Sequence, residues 1–164
     1  MPALLHAQVR ASERATVSQV VDGTTITIDY ARPLMRGRVP FPAVVKWNEV
    51  WTPGANWATT LAVSRDIELN GHPVAKGKYS VWMIPRESNE WTVLLDGNTR
   101  RFHTQKPDPA KAVLSFTVKP QQGPPVEALT WSFPGIARDG ATLHMYWGTT
   151  YVPLQIAVTP TRPV

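Results

Sequence analysis

The sequence predicts a single all-β domain, an antiparallel β-sandwich of jelly-roll type with nine or ten strands. Three observations lead there. Apolar and polar residues alternate with a period of two through most of the chain. Turn dipeptides break these runs at short intervals. Helical periodicity is weak, and only Asp108–Ala112 reads as a short helical turn. The domain is expected over residues 13–160, after a loose N-terminal arm, 1–12, read as the remnant of an export signal.

The runs ATVSQVV (15–21) and TTITIDY (24–30) are joined by Asp22-Gly23. A type I′ hairpin turn needs positive φ at both central positions, and Asp-Gly supplies it. Ile26, Ile28 and Tyr30 then share the inward face. ARPLMRGRVPFP (31–42) reads as a loop with three prolines and three arginines. Residues 58–63 and 66–69 read as short strands, followed by a second turn signal at Asn70-Gly71. Strands are expected at 77–84 and 90–95, then a polar loop over 96–110. Four more follow: 113–118, 126–133, 141–147 and 152–158. Each carries an alternating apolar set, such as Trp91, Val93 and Leu95, or Leu143, Met145 and Trp147. Two such faces packed together would form the core.

Composition narrows the function classes. A hydrophobic fraction of 43% with 18% charged residues suits a folded globule rather than a disordered chain. The formal charge of +5 and the pI near 9.8 favour anionic ligands or surfaces in a general way. The arginines are scattered, so no nucleic-acid partner is expected. The chain has no cysteine, which excludes disulfides, thiolate metal sites and a cysteine nucleophile. No stretch reaches the length of a transmembrane span.

Motifs for chemistry are sparse. The four histidines, His6, His72, His103 and His144, show no ligand spacing, so neither metal nor cofactor is expected. There is no G-x-S-x-G elbow, no phosphate-binding glycine loop and no local carboxylate pair, and no catalytic residue can be named. His103, in the loop RFHTQKP, is the histidine best placed for chemistry. Arg32, Arg36 and Arg38 form the densest positive feature. They either offer guanidinium forks to a carboxylate or phosphate, or are solvated and paired with strand-end acids such as Asp29.

Seven tryptophans are many for 164 residues. Trp91, Trp131 and Trp147 alternate with core positions. Trp47, Trp51 and Trp57 cluster around turns, and Trp82 falls opposite Val81 and Met83. In VWTPGANWATT (50–60), Pro53-Gly54 fits the centre of a type II turn, with positive φ expected at Gly54. Asn56 is expected to brace the turn through its side-chain amide. Trp51 and Trp57 are the candidates for a surface role, because an exposed indole can stack on a flat ligand.

Four segments in order carry a resemblance: ATVSQ at the start, DYARPLMRGR, VWTPGANWATT and PVAKGKYSVWMIP. Together they resemble the bacterial family known as domain of unknown function 2911, from about Arg10 to Val158. Thr52-Pro53 departs from the Arg-Thr frequent in the family, and Lys76 from its usual alanine. The resemblance implies an exported, often envelope-associated β-rich protein, periplasmic or secreted, and supplies no activity. Arg32, Arg36, Gly54, Ala55, Asn56 and Tyr79 fall on its motif positions. The residues proposed to bind a ligand are Arg32, Arg36, Trp51, Asn56, Trp57, Tyr79 and His103.

Three functions stay open. The first is a non-catalytic module for a small polar ligand, sugar-like or anionic. The second is a small hydrolase or isomerase using His103 with arginine and asparagine partners. The third is a structural or interaction domain of the cell envelope.

Overall fold

The computed structural model describes residues 11–161. Most of the expected N-terminal arm therefore lies outside the described residues. Among the described residues, ten strands form two antiparallel sheets, with a six-stranded sheet in the order β1-β2-β3-β6-β7-β8 and a four-stranded sheet in the order β5-β4-β10-β9. The strands are β1 (Glu13–Val21), β2 (Thr24–Arg32), β3 (Thr60–Val63), β4 (Ile67–Leu69), β5 (His72–Val74), β6 (Gly77–Ile84), β7 (Trp91–Asp96), β8 (Leu114–Val118), β9 (Gln121–Ala137) and β10 (Gly140–Val158). The chain changes sheet three times, after β3, β5 and β8.

Period-two alternation becomes burial. Ile26, Ile28 and Tyr30 of β2, the 91/93/95 set of β7 and the 143/145/147 set of β10 are buried in one core between the sheets. The Asp22-Gly23 turn has positive φ at both residues, 44° and 79°, and joins β1 to β2 in continuous register. Asn70-Gly71 repeats this with 48° and 79°, and closes a hairpin to a short strand, β5, that the sequence reading did not separate. No helix among the described residues is long and apolar enough to cross a membrane.

Two boundaries differ from expectation. The strands expected at 141–147 and 152–158 are one 19-residue strand, β10. The intervening GTTY is a series of register shifts against β9, not a turn, and Gly148 has φ of 60° there. A Cβ at Gly148 would come within 2.9 Å of the Pro40 ring, so the bend is packed against the 31–42 loop. β9 runs well beyond 126–133, through Pro124, Pro125 and Pro134. It lies at the sheet edge, where a proline leaves no ladder bond broken.

Candidate functional site

The 31–42 loop ends in a wide turn closed by the Val45 N–H, which donates to the Pro40 carbonyl at 2.8 Å. That turn puts Phe41 into the end of the sandwich. Four indoles surround its ring, with centroids 4.8 Å away for Trp91, 5.3 Å for Trp51 and 6.1 Å for both Trp47 and Trp147. Trp51 lies nearly parallel to Trp147, 6.3 Å away at 18°. An aromatic block thus closes one end of the core, with Trp51 half-buried at its rim.

The corner that follows is built by threonines. The Trp51 and Met83 backbones exchange hydrogen bonds of 2.8 and 2.7 Å, which extends the sheet alongside β6. The Thr52 hydroxyl donates to the Val81 carbonyl at 3.0 Å and accepts from the Thr59 N–H at 2.9 Å. The Thr59 hydroxyl donates to the Pro53 carbonyl at 2.8 Å, and the Trp131 indole N–H donates to the same carbonyl at 3.0 Å. Thr52 and Thr59 are buried, so these bonds replace lost hydration.

The turn itself corrects two expectations. The Gly54 N–H donates to the Thr52 carbonyl at 2.7 Å, so Pro53 is the centre of a three-residue γ-turn, not part of a type II turn. Gly54 is not left-handed. It is required by close approach, because a Cβ there would stand 2.7 Å from the Thr59 hydroxyl and 3.2 Å from the Ala31 carbonyl. The left-handed residue is Asn56, with φ of 60°. Its side-chain amide makes no hydrogen bond among the described residues, and the threonines do the bracing assigned to it.

Residues 56–58 then pair with the loop expected at 96–110. The His103 N–H donates to the Asn56 carbonyl at 2.7 Å, and the Ala58 N–H donates to the Arg101 carbonyl at 2.8 Å. Arg101 is anchored by Nε on the Asp96 carboxylate at 2.7 Å. This pairing brings His103 and Lys106 to the rim of a cleft of about 360 Å³ over the aromatic block. Trp51, Thr52, Gly54, Ala55 and Asn56 line one side. Val44, Val45, Lys46, Glu49 and Val50 line another, with Trp147 and Pro33 completing it.

Of the seven residues singled out from the sequence, the cleft gathers Trp51, Asn56 and His103. The other four lie elsewhere. Arg32 ties the two sheets together, donating from Nε to the Leu129 carbonyl at 3.0 Å and from Nη2 to Thr130 Oγ1 at 2.8 Å. Arg36 donates its backbone N–H to Glu127 Oε1 at 2.9 Å and reaches the Ala11 carbonyl at 3.2 Å. The ion pair expected between this loop and Asp29 is absent among the described residues. Asp29 pairs instead with Arg14 of β1. Tyr79 donates to the Ala75 carbonyl at 2.7 Å. Trp57 is 44% exposed and stands edge-on to Phe102, its ring centroid 5.3 Å away.

Trp82 is fully buried on the outer face of the six-stranded sheet with Ala58 and Leu94. His72 stacks on Phe116 and His144 on Tyr151, and neither histidine lines the cleft. Burial holds the His144 imidazole below its usual pKa. Lys46, Lys106, Glu49 and Phe41 were missed in the sequence. Lone lysines in loops carry no pattern, and the only local signal was the density of tryptophan near position 50.

The sequence matches the family described as "Protein of unknown function (DUF2911)" over residues 12–156. The chain belongs to this family. Neither the curated proteins nor the solved structures give a match. In this DUF2911 chain, the DYARPLMRGR segment begins on β2, VWTPGANWATT is the corner that leads into β3, and PVAKGKYSVWMIP carries β6; β2, β3 and β6 are consecutive in the sheet. The corner carrying Gly54 rests on the β2 segment at Ala31, so these segments form one piece of structure at the cleft's edge.

Proposed function

We propose that this protein is a non-catalytic module that binds a small polar ligand in the cleft beside Trp51, in the periplasm or outside the cell as the family resemblance implies. One observation carries the reading. Trp51 and Asn56 lie on one corner and His103 on a later loop, and backbone pairing of 56–58 with 101–103 brings that loop to the same cleft. Its volume of about 360 Å³ is at the small end of the ~300–1,000 Å³ typical of ligand sites. The indole pair gives it an apolar wall and the rim gives it polar groups. A general base needs a partner to orient it. His103 is exposed and its ring neighbours that of Phe102, 4.6 Å away, which favours binding over catalysis.

The test is a screen of monosaccharides and small organic anions against ¹⁵N-labelled protein by heteronuclear NMR. Shifts should cluster at Trp51, Ala55, Asn56 and His103. Asn56→Gly keeps the left-handed backbone available and removes the amide, so it should weaken binding while the fold persists. Shifts confined to other surfaces, or none with any compound, would reject the reading.

A further inference from the structure

Hydrogen-bond capacity around the cleft is unequal. The carbonyls of Trp51, Thr52, Pro53 and Asn56 are all taken by protein donors. Of the donors of the same segment, the Trp51 and Gly54 N–H groups are paired and others are left over. Among the described residues, the backbone N–H groups of Ala55 and Asn56 reach no protein acceptor. The tryptophans show the same split. The buried indoles Trp82, Trp91, Trp131 and Trp147 each donate to a protein oxygen, at 2.9 to 3.1 Å. The less buried indoles, Trp47, Trp51 and Trp57, donate to none among the described residues, and of these Trp51 lines the cleft. Consecutive amides beside a left-handed residue are a recurrent way for backbone to hold an anion, and Asn56 is that residue here.

Charge points the same way. Among the described residues Glu49 is the one carboxylate lining the cleft, and it lies 3.8 Å from Lys106 in an exposed pair. Such pairs are weak in water. Lys46 is exposed and has no ion partner among the described residues. These three N–H donors and one ammonium group thus lack a protein acceptor among the described residues, against the unpaired carbonyls of Gly54 and Ala55 at the corner, around an indole wall.

We infer that the ligand is a small carboxylate with a flat or apolar body, the carboxylate held by the 55–56 amides and Lys46, the body laid against Trp51. This rests on the cleft being a binding site. A hydrogen bond to a charged acceptor is roughly twice as strong as a neutral one, so a carboxylate uses these donors better than a sugar hydroxyl does. Among the described residues no arginine lines the cleft to offer a fork for a phosphate.

The experiment compares matched probes on ¹⁵N-labelled protein: phenylacetate against phenylacetamide, glucuronate against glucose, and inorganic phosphate. At least one carboxylate should bind about tenfold or more tighter than its neutral partner and move the Ala55, Asn56 and Trp51 indole N–H signals. Lys46→Met, at an exposed position, should weaken the carboxylate about tenfold and leave its neutral partner unchanged. Neutral probes bound at the cleft as tightly as their carboxylates would overturn the inference and leave the binding function standing. Phosphate bound more tightly than either carboxylate would overturn the choice of carboxylate. No shift at those three signals with any probe would overturn both.

Discussion

Two kinds of glycine turn in this chain look alike in sequence and differ in physics. Asp22-Gly23 and Asn70-Gly71 are hairpin turns, and both residues of each pair are left-handed. The strands they join are neighbours in sequence and in the sheet, so local conformation is enough to specify them. Pro53-Gly54 is a corner. Its geometry is set by Ala31, Val81 and Trp131, residues 22 or more positions away, and Gly54 is there because no side chain fits. A glycine can thus answer to a backbone angle or to a neighbour, and only the first need is visible in the dipeptide.

Substitutions separate the two needs. Gly54→Ala should have the largest effect, about 2–3 kcal/mol, because the new methyl would displace Thr59 and press on a backbone carbonyl. Urea unfolding measures it. A loss no greater than that of the hairpin glycines would mean the corner yields easily. Gly71→Ala comes next, at about 1–2 kcal/mol. Among the described residues nothing lies within 4 Å of its Cβ position, so only the left-handed backbone resists. Gly23→Ala should match it, because the nearest atoms of Arg65 are at an ordinary 3.6 Å.

Asn56 gives a smaller and more diagnostic pair. Asn56→Ala should cost about 1 kcal/mol from its positive φ, and Asn56→Gly close to nothing. Equal losses in thermal melts would show that the side-chain amide supports the corner after all. Trp57→Ala should cost less than about 1 kcal/mol, because the indole is 44% exposed and Phe102 is its one aromatic neighbour among the described residues. A loss of ~3 kcal/mol or more would make Trp57 part of the packed core.

The smallest effect is at the hairpin. The Thr161 backbone N–H and hydroxyl donate to Asp22 Oδ2 at 2.7 and 3.1 Å and hold its carboxyl below the usual value of 3.8. The tether is therefore intact above that value and lost as pH falls through the lower folded-state pKa. The Thr161 amide signal should move over that range while the corner amides stay still. An unchanged Thr161 signal would show that the carboxylate does not hold it.

The strands and their inward faces were legible because alternation is a local property. Leu143, Met145 and Trp147 point inward because they are two residues apart on β10, whatever lies opposite. The break at 148–151 misled because a bulge and a turn share the same small and β-branched residues. Only the partner strand decides between them. The site was legible in part. The density of indoles near position 50 pointed to Trp51, and the loop histidine to His103.

What the sequence by itself determined is the β class, most strand positions, the two hairpin turns and the core faces, all consequences of spacing along the chain. Tertiary structure alone decided that Arg32 ties the sheets together, that Phe41 plugs the sandwich end and that Gly54 is needed for room. It also decided which donors at the corner lack a protein acceptor. The reason is that a hydrogen bond or a close contact belongs to two residues. Where those are 23 or 98 positions apart, as Gly54 and Ala31 or Arg32 and Thr130 are, neither residue's local sequence names the other.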